Sequence, residues 1–177
     1  MLYTGTFSKT LAPSLRVGWI VADAPVIRRL TLLKQASDLA TSAFNQMLAL
    51  RLARTILPAE IARARAAYRS RRDAMLAALA AHMPPGVEWI RPEGGLYIWL
   101  TLPGHLDGAA VAMRALTEHG VATISGAAFY PVAPVRNTLR LSFSLASKED
   151  ATEAIKRLGG LIGEMSGRVE GSFIPFS

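Results

Sequence analysis

For the fold, the most informative stretch of the chain is YTGTFSKTLAPSLRVGW, residues 3 to 19. It places Lys9 between Ser8 and Thr10, among apolar and hydroxyl side chains, and Arg16 follows after a short interval. One interpretation is two exposed surface charges. The other is a lysine that bonds covalently to a carbonyl compound, followed by an arginine that binds a phosphate. The stretch alone leaves both interpretations open.

The composition indicates a folded protein. The 177 residues are enough for one ordinary domain or two small ones. Of these residues, 51% are hydrophobic and 19% are charged, so a core can form. The absence of cysteine excludes disulfides, thiolate metal sites and a cysteine nucleophile. The three histidines have no metal-ligand spacing, so we predict no metal site. No apolar run is long enough to cross a membrane and no signal peptide is visible, so we expect a cytoplasmic protein without a membrane partner.

The net charge of +7 raises the question of a nucleic-acid partner. Much of the positive charge lies within residues 51–73, in a helical pattern. Its arginines fall largely opposite the apolar positions, which is typical of a solvated helix face: Arg63, Arg65, Arg69, Arg71 and Arg72. Few aromatic residues are interleaved with them. We therefore predict no nucleic-acid partner.

The pattern of turns and apolar residues divides the chain. The first part is predicted to hold one strand, at residues 17–22. Three helices follow it: one from Pro25, one at about 43–56 and one from about 58 to 83. A break at Pro84–Gly86 follows. The second part is predicted to begin with two strands around a turn at 87–103, followed by a helix from Asp107 to His119. Two further strands are predicted at 121–125 and 138–144, and a final helix begins at a capping box formed by Ser147 and Asp150.

These elements predict an α/β chain in three segments. Residues 1–83 hold a strand and helices, residues 84–165 form a small α+β domain, and residues 166–177 form an unassigned tail. A lone strand has no sheet to pair with. The first segment is therefore expected to be the end of a larger domain.

The residues around Lys9 suit a phosphorylated aldehyde cofactor. A lysine amine forms a Schiff base with an aldehyde, and pyridoxal phosphate is the cofactor that most often uses one. Thr6 and Ser8 lie two residues apart, which puts both hydroxyls on one side of an extended segment. Arg16 supplies a planar set of donors that matches a phosphate.

The stretch resembles the Schiff-base lysine signature of the fold-type I pyridoxal-phosphate enzymes, and among them the class I/II aminotransferases of the 2-aminoadipate and kynurenine type. The family pattern Ser/Thr-x-Ser-Lys, then Pro-Gly-Leu-Arg, then hydrophobic-Gly-aromatic is matched by residues 6–9, 13–16 and 17–19, with Ser14 in place of glycine. The resemblance implies that Lys9 is the catalytic residue and binds the cofactor together with Thr6, Ser8 and Arg16. It also implies that residues 1–83 are the C-terminal part of the cofactor-binding large domain.

A second match lies downstream in NTLRLSFS, residues 137 to 144. It resembles the family segment whose arginine binds the substrate α-carboxylate, and Arg140 occupies that position. A bidentate guanidinium fixes the angle of a carboxylate, which amino acids and 2-oxo acids share. Residues 91–100 and 126–131 also resemble family segments, which we interpret mainly as structural.

The resemblance implies a pyridoxal-phosphate-dependent aminotransferase that moves an amino group between an amino acid and a 2-oxo acid. The resemblance also implies a homodimer, because the family's site lies between subunits, and residues 38–46 resemble the stretch near the dimer contact. Only eight residues precede Lys9, so the family's aspartate, stacking aromatic and glycine-rich turn have no counterpart upstream of it in this sequence. We expect this chain alone to be a poor transaminase or none.

Two alternatives stay open from the sequence. One is the aminotransferase-like effector domain of a winged-helix transcription regulator, because such domains share the lysine. The other is a non-catalytic, truncated remnant that folds only with a partner.

Overall fold

A computed structural model describes residues 1–170 of the chain, with side chains as far as residue 167. The strands and helices, in chain order, are β1 (Tyr3–Thr6), β2 (Gly18–Val21), α1 (Ala24–Ser37), α2 (Ala43–Thr55), α3 (Leu57–His82), β3 (Glu88–Trp89), β4 (Tyr97–Thr101), α4 (Gly108–His119), β5 (Ile124–Ser125), β6 (Thr138–Ser142) and α5 (Lys148–Glu170). They form two compact units, one of residues 1–66 and one that begins at Ala67. The mixed α/β class predicted from the sequence is confirmed.

The boundary between the two units falls inside α3. The domain boundaries predicted at residues 83 and 165 stay a prediction. The sequence leaves residues 166–177 unassigned. Helix α5 extends over the start of that segment, to Glu170, and the rest of it lies outside the described residues.

The first unit contains a strand that the sequence analysis missed. Strands β1 and β2 pair antiparallel, with Tyr3 opposite Val21 and Thr6 opposite Gly18. A Cβ atom on Gly18 would lie 2.8 Å from the backbone oxygen of Gly5, so the close approach of the two strands requires glycine here. The strand predicted at residues 17–22 therefore has a partner, and the expectation that it is a lone strand was wrong.

The helices of the first unit begin where the sequence predicts but bury little. Pro25 lies in the first turn of α1, and Ser42 caps α2 by accepting a hydrogen bond from the backbone nitrogen of Asn45 at 3.3 Å. Only two apolar side chains among the described residues of this unit are fully buried, Leu15 and Ala49.

The second unit is built on a four-stranded antiparallel sheet in the order β3-β4-β6-β5. Ile98 and Leu100 of β4 are buried, as are Leu139 and Leu141 of β6. Because side chains alternate along a strand, the residues between them point to the other face of the sheet. That face carries Arg140 of β6.

One continuous core joins this sheet to the helices of the second unit. It includes Met75 and Leu79 of α3, Val111 of α4, and Leu158 and Ile162 of α5. Each such side chain contributes about 1.5–3 kcal/mol when fully buried. Most of the buried apolar surface of the described chain therefore belongs to the second unit.

Local caps fix the ends of the helices in the second unit. The carboxylate of Asp107 accepts hydrogen bonds from the backbone nitrogens of Ala109 at 2.7 Å and Ala110 at 3.4 Å, which confirms the predicted start of α4. At the start of α5, the backbone nitrogen of Asp150 donates to the hydroxyl of Ser147 at 3.0 Å, and this hydroxyl donates to the Asp150 carboxylate at 2.7 Å. The predicted pairing of these two side chains is confirmed.

Two predicted strands are shorter in the structure. The segment 121–125 is strand only at Ile124–Ser125, and the segment 138–144 ends as a strand at Ser142. Within residues 1–170, no helix combines the length and the apolarity needed to cross a bilayer.

Candidate functional site

The loop between β1 and β2 presents Lys9. The backbone nitrogen of Phe7 donates to the oxygen of Val17 at 3.1 Å, which continues the strand pairing into the loop. The backbone nitrogen of Leu11 then donates to the oxygen of Phe7 at 2.8 Å and closes a tight turn. Lys9 lies in this turn with an exposed side chain. Its amine is therefore accessible to a small molecule.

Two hydroxyls lie together at the start of the same loop. The Thr6 hydroxyl donates to the Ser8 hydroxyl at 3.0 Å and accepts from the Ser8 backbone nitrogen at 3.1 Å. The Thr6 hydroxyl also lies 3.3 Å from the backbone oxygen of Val17. Val17 is the residue after Arg16, so the hydroxyl pair and that arginine belong to the same hairpin.

Arg16 ends a short 3-10 turn at Pro13–Leu15 and adopts a left-handed backbone, with φ of 51°. Its guanidinium donates one hydrogen bond, from Nη1 to the backbone oxygen of Pro13 at 3.2 Å. Leu15 anchors the turn, since its side chain is buried and its backbone oxygen accepts a hydrogen bond from Asn45 Nδ2 at 3.1 Å. The exposed guanidinium keeps further donors for an anion.

The donor set of this loop fits a phosphorylated aldehyde. Thr6, Ser8 and Arg16 offer two hydroxyls and a permanent cation, which together suit a phosphate dianion. Lys9 offers a primary amine, which suits an aldehyde. Among the side chains that the structure describes, no cluster of three or more His, Asp or Glu residues is arranged to hold a metal ion.

Arg140 belongs to the second unit, at the centre of its sheet. It pairs with Trp99 of β4 on one side and with Ile124 of β5 on the other. Its guanidinium carbon lies 4.0 Å from the ring centre of Tyr97 and 4.2 Å from that of Phe129. A cation over aromatic rings at these distances is attracted by their π faces.

The Nε atom of Arg140 is buried and has no hydrogen-bond partner among the described residues. A buried polar group without a partner is uncommon and needs an explanation, such as a ligand that is not part of the chain. An N–H donor on a guanidinium suits an anionic oxygen. The position is therefore suited to a carboxylate.

Four of the five predicted site residues lie in the β1–β2 hairpin of the first unit, with Thr6 at the end of β1 and Ser8, Lys9 and Arg16 in the loop. Arg140 lies in the other compact unit, with its own surroundings. The sequence analysis treated the segments that contain Tyr97 and Phe129 mainly as structural and did not connect these rings to Arg140. The alternation of side chains along β4 that buries Ile98 also turns Tyr97 to the sheet face of Arg140. The sequence pattern could therefore have placed Tyr97 on the same face as Arg140.

Two arginines of the predicted solvated face are only partly exposed and contact loops of the chain. Arg71 donates to the backbone oxygen of Ser144, just after β6, and Arg72 Nη1 donates to that of Pro92 at 3.1 Å, before β4. Both are half-buried, whereas Arg69 is exposed. Arg71 therefore fastens the segment that follows the strand of Arg140, and Arg72 fastens the segment that precedes the strand of Tyr97.

The fold and these residues define an aminotransferase-like chain, and comparison with known proteins agrees. The chain belongs to the family "Aminotransferase class I and II", whose model matches residues 1–158. It is 43% identical over 165 residues to aromatic-amino-acid aminotransferase 1 of Thermococcus litoralis, covering 93% of this chain and 39% of that protein.

A solved structure is similar over the same span. The kynurenine aminotransferase of Pyrococcus horikoshii, in complex with PMP, superposes with a TM-score of 0.85 at 45% identity, covering 93% of this chain and 41% of that one. The uncharacterized HTH-type transcriptional regulator YdfD of Bacillus subtilis is 32% identical over 169 residues, covering 95% of this chain and 34% of the regulator. The chain thus spans about two fifths of the length of the aminotransferases it matches.

Proposed function

We propose that this chain carries the cofactor lysine, the phosphate-binding residues and the substrate carboxylate arginine of a pyridoxal-phosphate-dependent aminotransferase. The reaction is transfer of an amino group between an amino acid and a 2-oxo acid. The observation that carries the proposal is the β1–β2 hairpin, which holds Thr6 at the end of β1 and Ser8, Lys9 and Arg16 in its loop. Membership of the aminotransferase family supports it.

Pyridoxal phosphate, when bound, supplies an aldehyde that exchanges with amines and a ring that takes up the electrons released at the substrate Cα. Thr6, Ser8 and Arg16 would hold its phosphate. Lys9 would hold its aldehyde carbon. The complex of the similar Pyrococcus structure with PMP supports this cofactor class.

Lys9 Nζ has a second role in the proposed reaction. When it is not bonded to the cofactor, the Lys9 amine would be a base that takes the proton from the substrate Cα. The tight turn closed by the Leu11–Phe7 hydrogen bond limits where the amine can move. Replacement of Lys9 removes both the covalent anchor and the base.

Arg140 would bind the α-carboxylate that both substrates share. Its guanidinium carries parallel N–H donors that match the two carboxylate oxygens. Fixing the carboxylate orients the bound substrate, and such orientation is a large part of catalysis. The unpartnered Nε of Arg140 supports this role.

A titration with pyridoxal phosphate tests the proposed anchor. We expect a visible absorbance band from the imine on the protein, and loss of that band in Lys9→Ala. Lys34→Ala is the matched control, since the Lys34 amine contacts the Asp38 carboxylate at 2.8 Å. Equal bands in the two variants would contradict the proposal.

The expectation that the 177 residues alone transaminate poorly stays a prediction. The first unit holds the Lys9 loop on a two-stranded sheet whose residues are largely exposed. Two-stranded sheets are marginally stable by themselves. Rapid formation of a 2-oxo acid by this chain with pyridoxal phosphate and an amino donor would contradict it. A homodimer and a cytoplasmic location also stay proposals.

A second candidate is the effector domain of a transcription regulator, which the similarity to YdfD favours. In that case the same lysine and arginine would bind a cofactor and an amino acid as a signal. An enzyme converts an added amino acid to its 2-oxo acid over repeated turnovers, whereas an effector domain binds it without turnover. Counting turnovers in the whole protein distinguishes the two functions.

A further inference from the structure

We propose that Tyr97 and Phe129 are positioning residues, which hold the Arg140 guanidinium so that only its N–H edge is available to a carboxylate. The inference rests on the proposed function, because it concerns the same arginine. It assigns a role to two aromatic side chains for which packing alone is the simpler interpretation. Their exposure argues against packing alone, since 38% of Tyr97 and 46% of Phe129 is accessible to solvent.

The two rings meet the guanidinium from different elements of the second unit. Tyr97 begins β4, and Phe129 ends a short 3-10 turn, Gly126–Phe129. Their centres lie 4.0 and 4.2 Å from the guanidinium carbon. The attraction acts between the guanidinium and the π faces, whereas the N–H bonds of a guanidinium lie in its own plane. A carboxylate is then directed to that plane.

The turn that carries Phe129 is itself fixed in place. A Cβ atom on Gly126 would lie 2.6 Å from Cζ2 of Trp99, so the absence of a side chain lets the turn approach the sheet. Trp99 then meets Phe129 edge-on, with 5.9 Å between the ring centres. The order Trp99, Phe129, Arg140, Tyr97 forms a continuous series of contacts.

The state of the arginine nitrogen agrees with a prepared anion site. Arg140 Nε is buried without a partner among the described residues, and no described carboxylate forms an ion pair with this guanidinium. Aromatic contacts can hold a guanidinium without neutralising it. The rings would thus keep the arginine oriented and still charged for an incoming carboxylate.

The test follows carboxylate binding by NMR in the full 177-residue chain, with 3-phenylpropanoate as the probe. The ¹⁵Nε resonance of Arg140 reports on the site, and broadening of the probe's own ¹H signals measures the affinity in every variant, including those without Arg140. We expect the probe to shift this resonance and 3-phenylpropanamide, which lacks the charge, to leave it unchanged. Phe129→Leu and Tyr97→Leu should each weaken probe binding by about 2- to 5-fold, as expected for an exposed cation–π contact. Both should also move the Nε resonance of the free protein, because a ring current is lost.

Conservative and distant variants separate positioning from general damage. Tyr97→Phe keeps the ring and should bind the probe as wild type does. Phe44→Leu removes an exposed ring far along the sequence, in the first unit, and should also leave binding unchanged.

Two outcomes would overturn the inference, and they are distinguishable. If Arg140→Gln abolishes probe binding while Tyr97→Leu and Phe129→Leu leave the probe affinity unchanged, the rings have no positioning role and the carboxylate role of Arg140 stands. If Arg140→Gln binds the probe as tightly as wild type, the carboxylate assignment in the proposed function fails as well.

Discussion

Arg71 of α3 donates a hydrogen bond from its guanidinium to the backbone oxygen of Ser144, a residue that follows β6. The contact joins positions 73 residues apart. Arg72 makes the corresponding contact with Pro92, ahead of β4. Two consecutive arginines thus tie down the segments that flank the strands of Arg140 and Tyr97.

Replacement of Arg71 by alanine should destabilise the second unit. It leaves the part-buried oxygen of Ser144 without its donor, which costs about 1–3 kcal/mol of unfolding free energy. Urea unfolding followed by circular dichroism measures the change. Arg69→Ala, an exposed arginine on the same helix, is the control and should change stability by no more than about 0.5 kcal/mol. Equal losses in the two variants would contradict the role given to Arg71.

The sequence predicted the elements better than it predicted their contacts. Helix starts at Pro25 and Asp107 were found because caps and prolines act locally. Strand β1 was missed, since a four-residue segment with a glycine carries little pattern and its pairing with β2 is not local. Arg71 and Arg72 were assigned to solvent for the same reason, because helical periodicity does not reveal which loops reach the helix.

The candidate site shows the same contrast between local features, which the sequence predicted, and contacts between distant segments, which it did not. The hydroxyl pair at Thr6 and Ser8 was predicted from spacing, and the two hydroxyls hydrogen-bond at 3.0 Å. The rings of Tyr97 and Phe129 around Arg140 depend on the fold of separate segments. Resemblance to a family identified the arginine but gave no information about what holds it.

Replacing either of two adjacent glycines in α5 by alanine should change the stability of the protein, in opposite directions for the two positions. A Cβ atom on Gly159 would collide with the backbone oxygen of His82, whereas one on Gly160 would meet nothing within 4 Å. Gly159→Ala should therefore cost about 1–3 kcal/mol through overpacking. Gly160→Ala should stabilise the protein by about 0.5–1 kcal/mol, because alanine is the better helix former. Thermal unfolding of both variants measures the two effects, and a stabilised Gly159→Ala would show that α5 is not pressed against His82.

The cap at Asp107 should make the stability of the second unit depend on pH. The hydrogen bond from the Ala109 backbone nitrogen is the main cause that lowers the pKa of Asp107. Because folding lowers this pKa, the contribution of the carboxylate is fully present above the unfolded-chain value near 4 and is lost as pH falls through the folded-state value.

The measurement compares wild type with Asp107→Asn, whose amide does not titrate. Unfolding free energies at pH 7 and pH 3 should show wild type more stable at pH 7 and the difference reduced at pH 3. Asp23→Asn is the matched control, since Asp23 precedes α1 without a side-chain capping hydrogen bond. A difference between wild type and Asp107→Asn that is the same at both pH values would exclude the proposed contribution.

The proposed covalent role of Lys9 is tested most directly by locating a reduced label. The protein is mixed with an equimolar amount of pyridoxal phosphate, reduced with borohydride, digested and analysed by mass spectrometry. The chain contains four lysines, at positions 9, 34, 148 and 156. The account predicts that the phosphopyridoxyl group is found on Lys9. Its recovery mainly on any of the other three lysines would contradict the account.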